Sequence, residues 1–303
     1  MSDSTAMHHT DPSATLGGMC AILLWSSLAL LTTLTGNLPP FLVLACCFGF
    51  AGLFGLAWAA RTGTPGLRAM RAPTPALALS TFALFGYHAL YFFSLKHAPP
   101  VEANLINYLW PLLIVLFAGL LPGVRLRAGN IVGALLGLTA AALLVTGGRG
   151  LSIDPAHAPG YLAAFAAAVV WGGYSVLNRR FAGVDSAAIV PACIGVSLLG
   201  IAMHLLFEPS VAITTTQWLV LAAMGVGPTG VAFRLWDRGT KHGDIALLGS
   251  LSYLAPLLST LLLVLAGRAE PQWIQALAVG LLLLGAWISV HASRAATPAV
   301  AVP

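Results

Sequence analysis

Asn104, Asn107, Tyr108 and Pro111 stand at i, i+3, i+4 and i+7, so on a helix they share one face and make a polar stripe inside an apolar run. Carboxamides and a phenol in that pattern could hold the amino or carboxylate group of a small solute, or could join helices. A second set, Tyr87, His88 and Tyr91, places two phenols one turn apart, with a histidine able to bridge helices, bind a ligand or carry a proton. Trp25, Trp110 and Trp171 offer broad aromatic faces for apolar side chains and for an ammonium group. Ser252 and Tyr253 complete the candidates.

No catalytic pattern accompanies them. HExxH, GxSxG and GxxxxGK[ST] are absent, and Cys20, Cys46, Cys47 and Cys193 lack metal-ligand spacing. The chain is expected to be no enzyme and to need no cofactor or metal.

The stripe lies in KHAPPVEANLINYLWPLLIVL, Lys96 to Leu116, which returns as KHGDIALLGSLSYLAPLLSTL, Lys241 to Leu261. Lys96 matches Lys241, His97 matches His242, Tyr108 matches Tyr253, and Pro111 matches Pro256. Paired Lys-His and Tyr-x-x-Pro elements in one register indicate a duplication.

The elements that position these residues must cross a membrane. The chain has 303 residues, 58% of them hydrophobic and 8% charged, with a mean hydropathy of +0.90. Soluble domains carry about a quarter charged residues, so this chain cannot cover a water-facing surface. Its net charge of +5 needs no nucleic acid as partner, because the basic residues fall in loops between apolar runs. Ten spans are expected, near 16–35, 41–60, 76–96, 101–121, 129–147, 160–178, 187–207, 217–238, 244–266 and 271–291. The runs do not alternate polar and apolar residues, so they read as helices and not as barrel strands. The expected fold is an all-α polytopic membrane protein.

Arg61, Arg68, Arg71, Arg125, Arg127, Arg179, Arg180, Lys241 and Arg294 gather on one side, against Lys96, Arg149 and Arg268 on the other. Both termini are therefore expected in the cytoplasm. The repeat offset equals five spans, an odd number, so the second half must enter the membrane inverted. The expected organisation is a cytoplasmic tail at 1–15, a first repeat at 16–147, a linker at 148–159, a second repeat at 160–291 and a cytoplasmic tail at 292–303. Matched elements of inverted repeats meet near mid-depth, an arrangement that lets one site open to either side. A transporter is the class this architecture favours; a non-transporting scaffold or accessory subunit would instead have a dry, packed interior.

Counting along the spans puts Trp25, Trp171, Tyr87, His88, Trp110, Ser252 and Tyr253 near mid-depth, where polar atoms face a bundle interior or a wet cavity. Pro111 and Pro256 remove matched hydrogen bonds and should kink spans four and nine as hinges. GVGPTG, Gly225 to Gly230, concentrates helix breakers in span eight. Arg234 and Asp237 further along are spaced to pair as a gate, while Lys96, His97, Lys241 and His242 read as interfacial anchors.

Ten spans in two inverted halves of five resemble the EamA-type transporters of the drug/metabolite transporter superfamily, and the likeness covers nearly the whole chain after residue 15. Its most specific piece, Asn107-Tyr108-Leu109-Trp110-Pro111, is similar to the motif of YddG-type aromatic amino-acid exporters; Ala21-Ile22-Leu23-Leu24-Trp25-Ser26 fits the same group. The resemblance implies a uniporter or secondary exporter of aromatic and other neutral amino acids in a bacterial inner membrane, with its site between the halves. Its partners would be the small-molecule substrate and the bilayer, with no obligate protein partner. Export of other metabolites or cationic drugs is the alternative an aromatic-lined cavity leaves open.

Overall fold

The computed structural model describes residues 10–122, 124, 126–150 and 154–294. Arg125 and most of both tails lie outside the described residues. Among the described residues, ten helices are long and apolar enough to span a membrane: Pro12–Leu34, Pro40–Arg61, Thr74–His97, Pro100–Ala118, Ala128–Thr146, Pro155–Phe181, Ser186–Phe207, Thr215–His242, Ile245–Leu265 and Trp273–Ala292. They are spans one to ten in chain order. Since ten is even, the first and last spans begin and end on one side, called here the termini face.

Local chemistry sets where the helices start. Pro12, Pro40, Pro75, Pro100 and Pro155 occupy the first turns of spans one, two, three, four and six, where a missing N–H costs nothing. Asp11 caps span one by accepting from the Ser13 N–H at 2.8 Å, and Thr214 with Gln217 makes a reciprocal cap on span eight.

The packing follows the duplication. Span two lies against seven, five against ten, three against six, and one against eight. A two-fold operation exchanging the halves maps the first two pairs onto themselves and exchanges the last two. Spans five and ten approach closely. A Cβ on Gly285 would sit 2.8 Å from the Gly133 carbonyl oxygen, so only glycines let these backbones meet. Packing through small residues is how helices associate in lipid, where no hydrophobic difference drives them together.

Three spans are interrupted near their centres, and span one breaks a turn past its centre, at Ser27. Span four breaks between Asn107 and Trp110, and span nine between Leu251 and Leu254, each just before its proline. Span eight contains a π-helical segment, Gly225–Val231, with Pro228 inside it. The three central breaks fall where Pro and Gly were expected to produce them. Span eight runs a turn further than the sequence suggests, to His242, because Asp237 and Lys241 pair along it at i, i+4.

Candidate functional site

Spans one, two, three, four, six and eight bring their mid-depth aromatic residues into one cluster. Trp25 packs edge-on to Trp171 with ring centroids 5.7 Å apart, and lies 5.1 Å from Trp236 and 5.6 Å from Phe233. Trp110 meets Trp171 at 6.3 Å and Trp236 at 6.1 Å, both edge-on. Tyr87 lies 5.5 Å from Trp171 and stacks on Tyr91 at 6.1 Å. His88 sits between Tyr87 and Phe48. Each such ring pair contributes about 0.5–1.5 kcal/mol beyond burial, so the box is rigid without being covalently tied.

The polar stripe lies beside this box. Tyr91 donates its hydroxyl proton to Asn104 Oδ1, whose amide nitrogen donates to the Pro100 carbonyl at 2.8 Å. The Asn107 amide nitrogen donates to the Tyr87 hydroxyl at 3.2 Å. Asn107 is 5% exposed and its Oδ1 accepts from no partner among the described residues. The Tyr87 hydroxyl, accepting from Asn107, keeps its own proton free for donation. The box thus borders one uncommitted acceptor and one uncommitted donor. His88 Nδ1 lies 2.7 Å from the Leu84 carbonyl, which can only accept, so the proton sits on Nδ1 and Nε2 is left as an acceptor in the neutral ring.

Trp25 links the box to the π-helical segment. Its indole N–H donates to the Pro228 carbonyl at 2.9 Å, across spans one and eight. Wide π turns leave backbone groups off the regular ladder, and this indole satisfies one of them.

Exposure is uneven through the membrane depth. Tyr87, His88, Tyr91 and Tyr108, toward the face opposite the termini, are half-buried. Trp236 and Tyr174, toward the termini face, are 0% and 3% exposed. Beyond them a buried polar knot closes the bundle. Lys241 Nζ lies 2.8 Å from Asp237 Oδ2 and donates to the Val184 carbonyl at 3.0 Å, and the Asn178 amide donates to Asp237 Oδ1 at 2.8 Å. Both charged side chains are less than 5% exposed.

Two sequence expectations change here. Asp237 does not pair with Arg234: Lys241 shares the buried face of the helix with Asp237, whereas Arg234 is rotated outward and exposed. Lys241 is consequently no interfacial anchor, unlike its repeat partner Lys96, which is exposed. Arg238 turns away to pair with Asp11 at 3.0 Å.

Ser252 and Tyr253 are not brought to the aromatic box. The Ser252 hydroxyl donates back to the Leu248 carbonyl at 2.7 Å. Tyr253 is fully buried in a second cluster with Val115, Ala134, Ala140 and Leu282, its ring against Gly137, where a Cβ would stand 2.4 Å from Cδ2. Its hydroxyl donates to the Tyr108 carbonyl at 3.0 Å, so equivalent residues of the two repeats are tied at the two helix breaks. Tyr108 itself packs on this second cluster.

Phe48, Phe233, Trp236 and Tyr174 belong to the box and were not singled out from sequence. The repeat register carried a signal for two of them, since Phe233 aligns with His88 and Trp236 with Tyr91 when Lys241 is set on Lys96. Among the described residues, no cluster of His, Cys, Asp and Glu is placed to hold a metal ion.

The EamA-like transporter family profile matches residues 12–146 and 158–291. The chain is 49% identical to the aromatic amino acid exporter YddG of Ancylobacter novellus, over 93% of this chain and 98% of that protein. It is 28% identical to the protein of the same name from Escherichia coli, over 84% of this chain and 88% of the other. A solved structure titled only as the crystal structure of a protein superposes with a TM-score of 0.89 at 48% identity, covering 94% of this chain and 99% of that one.

Proposed function

The chain belongs to the EamA-like transporter family, and from that premise we propose that it exports aromatic and other neutral amino acids across a bacterial inner membrane by alternating access. The observation that carries the reading is the box of Trp25, Trp110, Trp171, Phe233 and Trp236 bordered by an uncommitted acceptor on Asn107 and an uncommitted donor on Tyr87. An aromatic or aliphatic side chain fits the ring faces. The ammonium group donates to Asn107 Oδ1, and the carboxylate accepts from the Tyr87 hydroxyl. A site built from ring faces separates apolar side chains weakly, which suits a broad substrate range.

In this reading both termini are cytoplasmic, as the excess of arginine in that side's loops directs. The half-buried edge of the box then faces outward, and the structure is a state closed to the cytoplasm by Trp236 and the knot of Asn178, Asp237 and Lys241. The repeats at 16–147 and 160–291 rock against each other about the site. Pro111, Pro256 and the π-helical segment absorb the bending, since each leaves the helix ladder incomplete. Relatives bearing exporter names support the direction.

Counterflow tests the reading. Purified protein in liposomes preloaded with unlabelled phenylalanine, without a pH gradient, should accumulate labelled phenylalanine, tyrosine or tryptophan saturably. Trp171→Ala should lower the rate at least tenfold, since Trp171 meets six other rings of the box. Exchange of a quaternary ammonium drug with no amino-acid counterflow would replace this substrate class with cationic amphiphiles. No exchange of either would leave the protein without the proposed activity.

A further inference from the structure

Arg234, once separated from Asp237, stands without an explanation of its own. With Arg238 and His242 it forms an exposed stripe at i, i+4 and i+8 on the outer side of span eight. This stripe lines a cavity of about 550 Å³, whose other wall is the connection from Ala182 to Ser186. Arg238 has Asp11 and Ser13 as partners, at 3.0 and 2.7 Å. None of the ion pairs among the described residues includes Arg234. The cavity wall also carries one carboxylate, Asp185, whose Oδ1 accepts from the Ala187 N–H at 2.7 Å and caps span seven, and among the described residues it makes no ion pair with Arg234.

Depth makes the free guanidinium informative. Span eight has 28 residues and at about 1.5 Å per residue is roughly 42 Å long, against a hydrocarbon thickness of about 30 Å. Shared between its ends, the surplus leaves roughly 6 Å projecting at the termini face. Arg234, two turns before His242, then lies roughly 6 Å inside the hydrocarbon boundary, with Arg238 at the boundary and His242 among headgroups. An arginine at that depth requires a counter-charge, a water-filled cavity or a snorkelling path. The stripe, the cavity and the spare guanidinium together supply a path for an anion.

We propose that this cavity holds the phosphate of an anionic phospholipid from the leaflet on the termini side, with Arg234 as its deep contact and Arg238 and His242 at the rim. The shared chemistry is a phosphate oxyanion held by a guanidinium fork, which free phosphate could also offer. The lipid is the assigned source because Arg234 lies below the boundary, where a headgroup can be drawn down along its own chains while a hydrated phosphate must leave water. Basic pockets against membrane-spanning helices take lipid headgroups by the same logic.

The test is thermal unfolding of the delipidated full chain in detergent, titrated separately with dioleoyl phosphatidylglycerol, dioleoyl phosphatidylcholine and inorganic phosphate. Phosphatidylglycerol should raise the midpoint by several degrees while the other two leave it nearly unchanged. Arg234→Gln should remove that rise, and Arg234→Lys should keep part of it. Should Arg234→Gln fail to fold, Ser186→Glu places a carboxylate in the cavity at a helix N-terminus that tolerates it, and it should remove the rise as well. Equal effects of the two lipids on the unaltered protein would overturn the proposal. So would a full rise in Arg234→Gln or Ser186→Glu, and a rise with inorganic phosphate alone would overturn the lipid assignment.

Discussion

Replacing Asp237 by asparagine isolates the energetics of the closed termini face. At 2.8 Å and an effective dielectric constant of about 20, attraction between Lys241 and Asp237 is about 6 kcal/mol before desolvation is subtracted. Removing one partner of a buried pair costs about 3–5 kcal/mol, because the other charge stays buried without compensation. In Asp237→Asn the Lys241 ammonium keeps only the Val184 carbonyl and a carboxamide. Opening the termini face would hydrate it. If opening relieves about 2 kcal/mol of the penalty, the ratio of open to closed protein rises about 30-fold. Accessibility of a cysteine at Ala232 reports that ratio, since this position is 0% exposed and lies just past the π-helical segment on the termini side. With Cys20, Cys46, Cys47 and Cys193 replaced, Ala232→Cys should react with an impermeant thiol reagent applied from the termini face at least tenfold faster when Asp237→Asn is present. Adding Lys241→Met, which removes the stranded charge, should return the rate to within a few-fold of the parent. Equal rates with and without Asp237→Asn in folded protein would refute the reasoning, as would a double variant that reacts as fast as the single one.

Tyr253→Phe removes the donor to the Tyr108 carbonyl and strands a buried acceptor, so it should destabilise the protein by about 1–3 kcal/mol; a melting temperature equal to that of the unaltered protein would show that the tie carries no stability. Trp25→Phe keeps an aromatic face but frees the Pro228 carbonyl. It should slow counterflow about three- to tenfold, matching one hydrogen bond of about 0.5–1.5 kcal/mol, and an unchanged rate would detach Trp25 from the π-helical segment. The Asp11 carboxyl is held down to about 2, first by the Ser13 hydroxyl and then by the Ser13 N–H, with Arg238 contributing less. A depressed carboxyl gives stability that is complete above its unfolded value near 4 and lost as pH falls toward 2. Asp11→Asn should therefore leave the pH profile of melting flat relative to the parent between pH 5 and 8, and any difference confined to that window would point to another titrating group.

The membrane crossing, the duplication and the interruptions were legible because each depends on residue type alone. Apolar length reports a span, Pro111 and Pro256 remove donors wherever they stand, and Gly225, Gly227, Pro228 and Gly230 weaken a helix in any setting. Partner choice was not legible. Arg234 and Lys241 lie three and four residues from Asp237, so both can reach it along the helix, and only the rotation that buries Phe233, Trp236 and Thr240 selects Lys241. Tyr253 shows a similar limit. Its depth follows from counting, but its direction depends on Gly137 in another span leaving room for the ring. Phe48, one of several phenylalanines in span two, has nothing in its neighbours to separate a wall of the box from ordinary packing.

The polar knot exists at one mouth only. The position equivalent to Asp237 in the first repeat is Phe92, and Lys96 is exposed, so a duplicated scaffold carries an unduplicated latch. For a carrier driven by no second gradient this asymmetry cannot impose a direction, because Vmax/KM must be equal for inward and outward flux. Under the proposed alternating access with cytoplasmic termini, it would set where the empty carrier rests. Resetting the empty protein against the latch becomes the slow step of outward flux, which therefore has the smaller Vmax and, by the same factor, the smaller KM. Such a carrier begins to discharge solute at low internal concentration and reaches its ceiling early.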